Sequence, residues 1–178
     1  MAIIAGKFPL AALAAGITLI LAGCGLTQSV TDGTVAVTKS IFYKKVKTLH
    51  LDIRAREAVN RNAGGVALSL VVRIYQLKDR KIFDSTDYPS LFKDDSQVIK
   101  ADLVAEKNIR LQPGGAVMVA MPMEEDAHYV AVAGMFMSPD QTRNTWRVVL
   151  SRDDLDPDKA SVVEAGNNRL TLQALKDE

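Results

Sequence analysis

The sequence predicts a mainly β protein: a β-sandwich with a small helical insertion, preceded by a secretory leader. Three observations carry that reading. From Thr48 onward, short stretches alternate apolar and polar residues with a period of two, the pattern of strands with one face in a core and the other in water. Between Asp79 and Lys107 that period gives way to helix-like spacing. The chain also opens with an uncharged apolar run that ends in small residues and its single cysteine, Cys24.

Lys7 is the only charged side chain ahead of Cys24, and Phe8 to Ala22 is almost wholly apolar. A basic start, an apolar stretch of about 7–15 residues and small residues at the cut make a secretory signal. Those fifteen residues fall short of the roughly 20 that a spanning helix needs. Leu21-Ala22-Gly23-Cys24 resembles the lipobox of bacterial lipoproteins. That resemblance implies cleavage after residue 23, a diacylglycerol on the Cys24 thiol and an acyl chain on its new amino group. No other cofactor and no metal is expected. One acyl chain holds a protein to a bilayer only marginally, whereas two signals anchor it stably. Gly25, where the enterobacterial sorting rule would need Asp for inner-membrane retention, points to the outer membrane.

Removing residues 1–23 from 178 leaves 155, one ordinary domain able to bury a core. The formal charge of +1 falls to zero with Lys7 gone, so no basic excess suggests nucleic acid or anionic lipid. With Cys24 acylated the body has no thiol, and packing rather than disulfides must hold it in an oxidising periplasm. Residues 24–47 are read as the lipidated cysteine and a tether, with the sandwich over 48–178. Residues 25–40, rich in Ser, Thr, Gly and Val, fit either a tether or a loosely packed first segment of the domain. Ser40 to Lys47 fits a short helix or a basic strand lead-in equally well.

Thr48 to Arg56 is the clearest strand: Leu49, Leu51, Ile53 and Ala55 alternate with His50, Asp52, Arg54 and Arg56. A second strand spans Val66 to Leu77, with Leu68, Leu70, Val72 and Ile74 on one face and Ser69, Val71, Arg73 and Tyr75 on the other. Glu57 to Gly65 joins them. Its Asn and Gly residues tolerate positive φ, and it is too long for a two-residue hairpin turn, so it should project. The insertion over about 79–107 carries Phe83, Tyr88, Leu91 and Phe92 at helical spacing, Asp84, Ser85 and Asp87 as caps, and Pro89 in a first turn. Ser96 and Asp102 would begin further turns carrying Val98, Ile99, Leu103 and Val104.

Strands resume at Ile109 and Leu111, ahead of Gln112-Pro113-Gly114-Gly115, where Pro then Gly suits a type II turn. Ala116 to Met123 is apolar on both faces, as in a buried central strand. Tyr129 to Met137 is similar, with Gly134 marking a bulge or close approach. After the turn at Ser138-Pro139-Asp140, Thr145 to Ser151 places Trp146, Val148 and Leu150 against Arg147 and Ser151. Residues 152–160 read as an acidic loop, and Asn168 to Leu175 as the last strand. Short strands at modest spacing favour a sandwich.

Chemistry is sparse. His50 falls on the polar face of the first strand. His128 follows Glu124, Glu125 and Asp126 at a strand entrance, with no second histidine at a ligand spacing. Asp153, Asp154, Asp156 and Asp158 echo a calcium loop but lack its central Gly and terminal Glu, and Pro157 interrupts them. No nucleophile elbow, phosphate loop or zinc motif is present. Neither a hydrolase, which needs a perturbed acid or histidine in a cleft, nor a periplasmic lipoprotein binding a small ligand in a polar pocket has a sequence sign in its favour.

One string is more informative. Val71-Val72-Arg73-Ile74-Tyr75-Gln76-Leu77, preceded by Leu68-Ser69-Leu70, resembles the TssJ lipoproteins of bacterial type VI secretion systems. In order along the chain, Phe83 to Phe92, Leu111-Gln112-Pro113-Gly114, Tyr129 to Phe136 and Trp146-Arg147 extend the resemblance over most of the mature chain. It implies a transthyretin-like sandwich with extra helical elements and a structural, non-enzymatic role. The lipid would hold the domain in the outer membrane while it binds the periplasmic C-terminal part of TssM, an inner-membrane protein. The family's contact loop joins the first two strands. The resemblance therefore makes Val59, Asn60, Arg61, Asn62 and Ala63 the candidate partner-binding residues. Arg73 and Tyr75 are expected to pack beneath the insertion, the tyrosine burying its ring and keeping its hydroxyl bonded.

Overall fold

The computed structural model describes residues 45–174. The leader, Cys24 and the tether as far as residue 44 lie outside the described residues, as do 175–178. Among the described residues eight strands form two four-stranded sheets: β1 (Thr48–Ala55), β2 (Leu70–Leu77), β3 (Leu103–Leu111), β4 (Ala116–Pro122), β5 (Tyr129–Gly134), β6 (Arg147–Ser151), β7 (Ser161–Gly166) and β8 (Arg169–Leu172). One sheet has the order β4-β1-β7-β8 and the other β3-β2-β5-β6. All pairs are antiparallel except β1 with β7.

The alternation expected on β1 holds for its apolar face, where Leu49, Leu51 and Ile53 are fully buried, and for Arg54, which is exposed; Asp52, expected in water, is 7 % exposed and paired with Arg54. The apolar face meets the second sheet, where Val72 and Ile74 of β2 and Val130 and Val132 of β5 are also fully buried. Gln76 lies among these side chains at 0 % exposure. It is tolerated because both ends of its amide are bonded: Nε2 donates to the Pro122 carbonyl at 2.7 Å, and Oε1 accepts from the Glu124 amide at 2.8 Å. Gln76 thereby ties the second sheet to the end of β4 in the first.

The insertion consists of α1 (Lys81–Ser85), α2 (Tyr88–Phe92) and a 3-10 helix, Lys93–Ile99. Asp87 caps α2 by accepting from the Ser90 amide at 2.7 Å, and Pro89 sits in its first turn. Phe83, Leu91 and Ile99 press onto the β3-β2-β5-β6 sheet and are buried. Trp146 anchors the contact, 5.2 Å from the Tyr88 ring and 6.0 Å from Phe92. Arg147 closes it by donating to the carbonyls of Phe83, Asp84 and Thr86 at the end of α1, where unsatisfied helix carbonyls favour a cation.

The Gln112–Gly115 turn is as expected: the Gly115 amide donates to the Gln112 carbonyl at 2.9 Å and Gly114 has φ of +70°. Gly134 is a close approach, since a Cβ there would lie 2.7 Å from the Phe136 ring. Five further expectations differ from the structure. β5 ends at Gly134, where the chain turns away from β6, rather than at Met137. The insertion stops short of 103–107, which belong to β3, because pairing with β2 outweighs a spacing that fits a helix equally well. β2 begins at Leu70 rather than Val66. β4 is an edge strand, with Met118 68 % exposed, rather than a buried central one. Finally, β7 is a strand that the sequence pattern does not mark; it pairs with β1 and β8 and turns into β8 through Asn167 and Asn168, both at positive φ.

Candidate partner-binding loop

The connection from β1 to β2 splits into a buried root and an exposed tip. At the root, Val59 is fully buried in the core, its amide bonded to the Arg56 carbonyl at 3.1 Å. Asn60 is 4 % exposed and takes φ of +48°, a left-handed conformation Asn tolerates better than most residues. Its Nδ2 donates to the Ser69 carbonyl at 2.9 Å, and its Oδ1 accepts from the Met137 amide at 2.7 Å.

Beyond Asn60 the chain forms a miniature hairpin. Arg61 bridges Ala67, and the Asn62 amide donates to the Val66 carbonyl at 3.0 Å. The Asn62 side chain accepts from the amides of Gly64 and Val66, both at 3.0 Å, while the Gly65 amide donates to the Asn62 carbonyl at 2.9 Å. Gly65 supplies the positive φ, +79°, that this closure requires. Arg61, Ala63, Gly64, Gly65 and Val66 are exposed; Asn62 is half-buried. Of the five candidates, Arg61 and Ala63 expose their side chains, Asn62 shapes the tip, and Val59 and Asn60 hold the root. Met137, which the sequence did not suggest, belongs to the same assembly through Asn60. No local pattern signals a bond between residues 77 positions apart.

Elsewhere, several polar groups have structural partners. Tyr75 is fully buried beneath the insertion with its hydroxyl 3.0 Å from Ser96 Oγ, and Arg73 donates to the same oxygen at 3.1 Å. Burial pushes the Tyr75 phenol up from its usual range. His128, Glu124, Glu125 and Asp126 are exposed, and His50 is half-buried on the open face of β1. Asp156 spends its carboxylate on the amides of Asp158 and Lys159. Among the described residues no group of His, Cys, Asp and Glu is placed to hold a metal.

The family model described as "Type VI secretion lipoprotein, VasD, EvfM, TssJ, VC_A0113" matches residues 47–174. The chain belongs to the TssJ family. It is a type VI secretion lipoprotein of the membrane complex, and its family is structural. Among solved structures, a chain in "T6SS protein TssM C-terminal domain (869-1107) from EAEC" is 54 % identical, with 73 % of this chain and 100 % of that one covered and a TM-score of 0.68. A chain in "Type VI membrane complex" is 55 % identical, covering 72 % and 99 %, with a TM-score of 0.70. TssJ1 from Pseudomonas aeruginosa shares the fold at 24 % identity and a TM-score of 0.62, with 74 % and 98 % covered. No curated protein sequence matches the chain. The sandwich of the TssJ family is thus the frame on which the β1–β2 loop is mounted.

Proposed function

We propose that this TssJ-family chain is a non-enzymatic outer-membrane anchor whose β1–β2 loop binds the periplasmic C-terminal domain of a TssM-type inner-membrane protein. The reading is supported above all by the 54 % identity to a chain in a structure described by that TssM domain, with the whole of that chain covered. Cys24, behind its lipobox, carries the anchor: each buried acyl methylene contributes about 0.8 kcal/mol, and three chains together resist extraction. The sandwich supplies rigidity. A loop already closed by its own hydrogen bonds loses little conformational freedom on binding, which favours affinity.

Two variants of the full chain test this in cells. Cys24→Ser moves the protein from the membrane to the soluble fraction with its domain still folded. Arg61→Asp combined with Ala63→Asp keeps the membrane anchor and the melting temperature but loses capture of the TssM periplasmic domain from detergent-solubilised envelopes. Unchanged capture by the double variant would put the contact elsewhere.

A further inference from the structure

The exposed apolar residues of the two loops joined by Asn60 form a pattern of their own. Among the described residues six large apolar side chains are exposed, and two of them, Val66 (58 %) and Met137 (63 %), lie on these loops. A single exposed Met is ordinary on any surface. Met137 differs in how firmly its backbone is held. Its amide donates to the buried Asn60, the preceding Phe136 carbonyl accepts from the Tyr88 hydroxyl at 2.7 Å, and the Met135 amide donates to the Val71 carbonyl at 2.8 Å. Phe136 itself is buried behind it. The hairpin tip has a fixed offset from the same point. Asn60 lies opposite Leu68, Arg61 opposite Ala67 and Asn62 opposite Val66, so Val66 stands two rungs, about 7 Å, beyond the Asn60 rung.

We propose that the partner is gripped by two loops at once, the β1–β2 tip through Arg61 and Val66 and the root of the β5–β6 loop through Met137, with Asn60 setting their spacing. This rests on the reading of the β1–β2 loop given above and extends its surface. Arg61 is the only charged residue between Val59 and Ala67. The complementary patch is therefore apolar with a carboxylate placed for Arg61. The flexible thioether of Met137 adapts to an apolar partner surface, and its fixed backbone removes part of the ordering penalty. Asn60 is a positioning residue: at 4 % exposure its side chain is not available to the partner.

The test measures affinity of the full chain, detergent-solubilised, for the purified periplasmic C-terminal domain of the TssM-type protein. Met137→Glu should raise Kd at least about tenfold, as should Arg61→Asp. Met118→Glu, an equally exposed methionine on β4, should leave Kd within about twofold. Asn60→Gly keeps a positive φ accessible while removing the bracket. It should raise Kd through a faster off-rate, with amide exchange increasing at 61–67 and around Met137 only. If Met137→Glu binds like the parent while Arg61→Asp does not, the two-loop grip is overturned and the single-loop reading stands. If neither variant changes Kd, both fall. Should Asn60→Gly lower the folded fraction, Met137→Glu against Met118→Glu decides alone.

Discussion

On β5, Ala131, Val132 and Ala133 are all fully buried, whereas on β4 Val119 is 2 % exposed and its neighbour Met118 68 %. Both strands look alike in sequence, apolar on both faces. The difference lies in what covers them. The β3-β2-β5-β6 sheet faces its partner sheet on one side and carries the helical insertion on the other, so Tyr75 and Trp146 are as buried as Ile74. The β4-β1-β7-β8 sheet turns Met118, Arg54 and Thr171 outward. An apolar run therefore reports strand propensity, while burial on both faces needs a second layer that the run cannot announce.

This contrast is open to direct attack. Trp146→Ala removes the aromatic contact under the insertion and should lower stability by about 3–5 kcal/mol, read from the denaturant midpoint. Arg147→Met leaves the α1 carbonyls of Phe83, Asp84 and Thr86 without their donor; a loss of about 2 kcal/mol is expected, with faster amide exchange confined to the insertion. A smaller effect is expected at high pH. Burial pushes the Tyr88 phenol, which donates to the Phe136 carbonyl, up to about 12 from 10.0. The fold thus favours the protonated form. Its contribution is fully present below pH 10 and is lost as pH rises through about 12. Melting temperature should fall over that window, and less steeply in Tyr88→Phe. On the open sheet, Met118→Ser should change stability by no more than about 0.5 kcal/mol. A loss at Met118 comparable to that at Trp146 would erase the distinction between the sheets.

Much of the fold was legible because its causes are local. Alternation marked β1, the Pro113-Gly114 pair marked a type II turn, and Asp87 with Pro89 marked the start of α2. The place of Tyr75 beneath the insertion followed from parity along β2. Its neighbour Gln76, on the opposite face, gave no hint that it would bond the end of β4. In the β1–β2 loop, Asn and Gly correctly signalled positive φ at Asn60 and Gly65. They did not signal which of the two residues faces the core. β7 is not legible because Ser161–Gly166 alternates weakly, and its place beside β1 comes from a parallel pairing between distant segments.

By itself, then, the amino-acid order determined the likeness to a lipobox, the alternation of β1, the Pro113-Gly114 turn, the cap of α2 and the family likeness, since each is written in residues close along the chain. The tertiary structure alone decided which strand faces are covered, that β4 is an edge, and that Asn60 is a buried bracket between two loops. Those outcomes depend on which distant segments pair and pack, and a side chain's exposure is set by whatever lands on it.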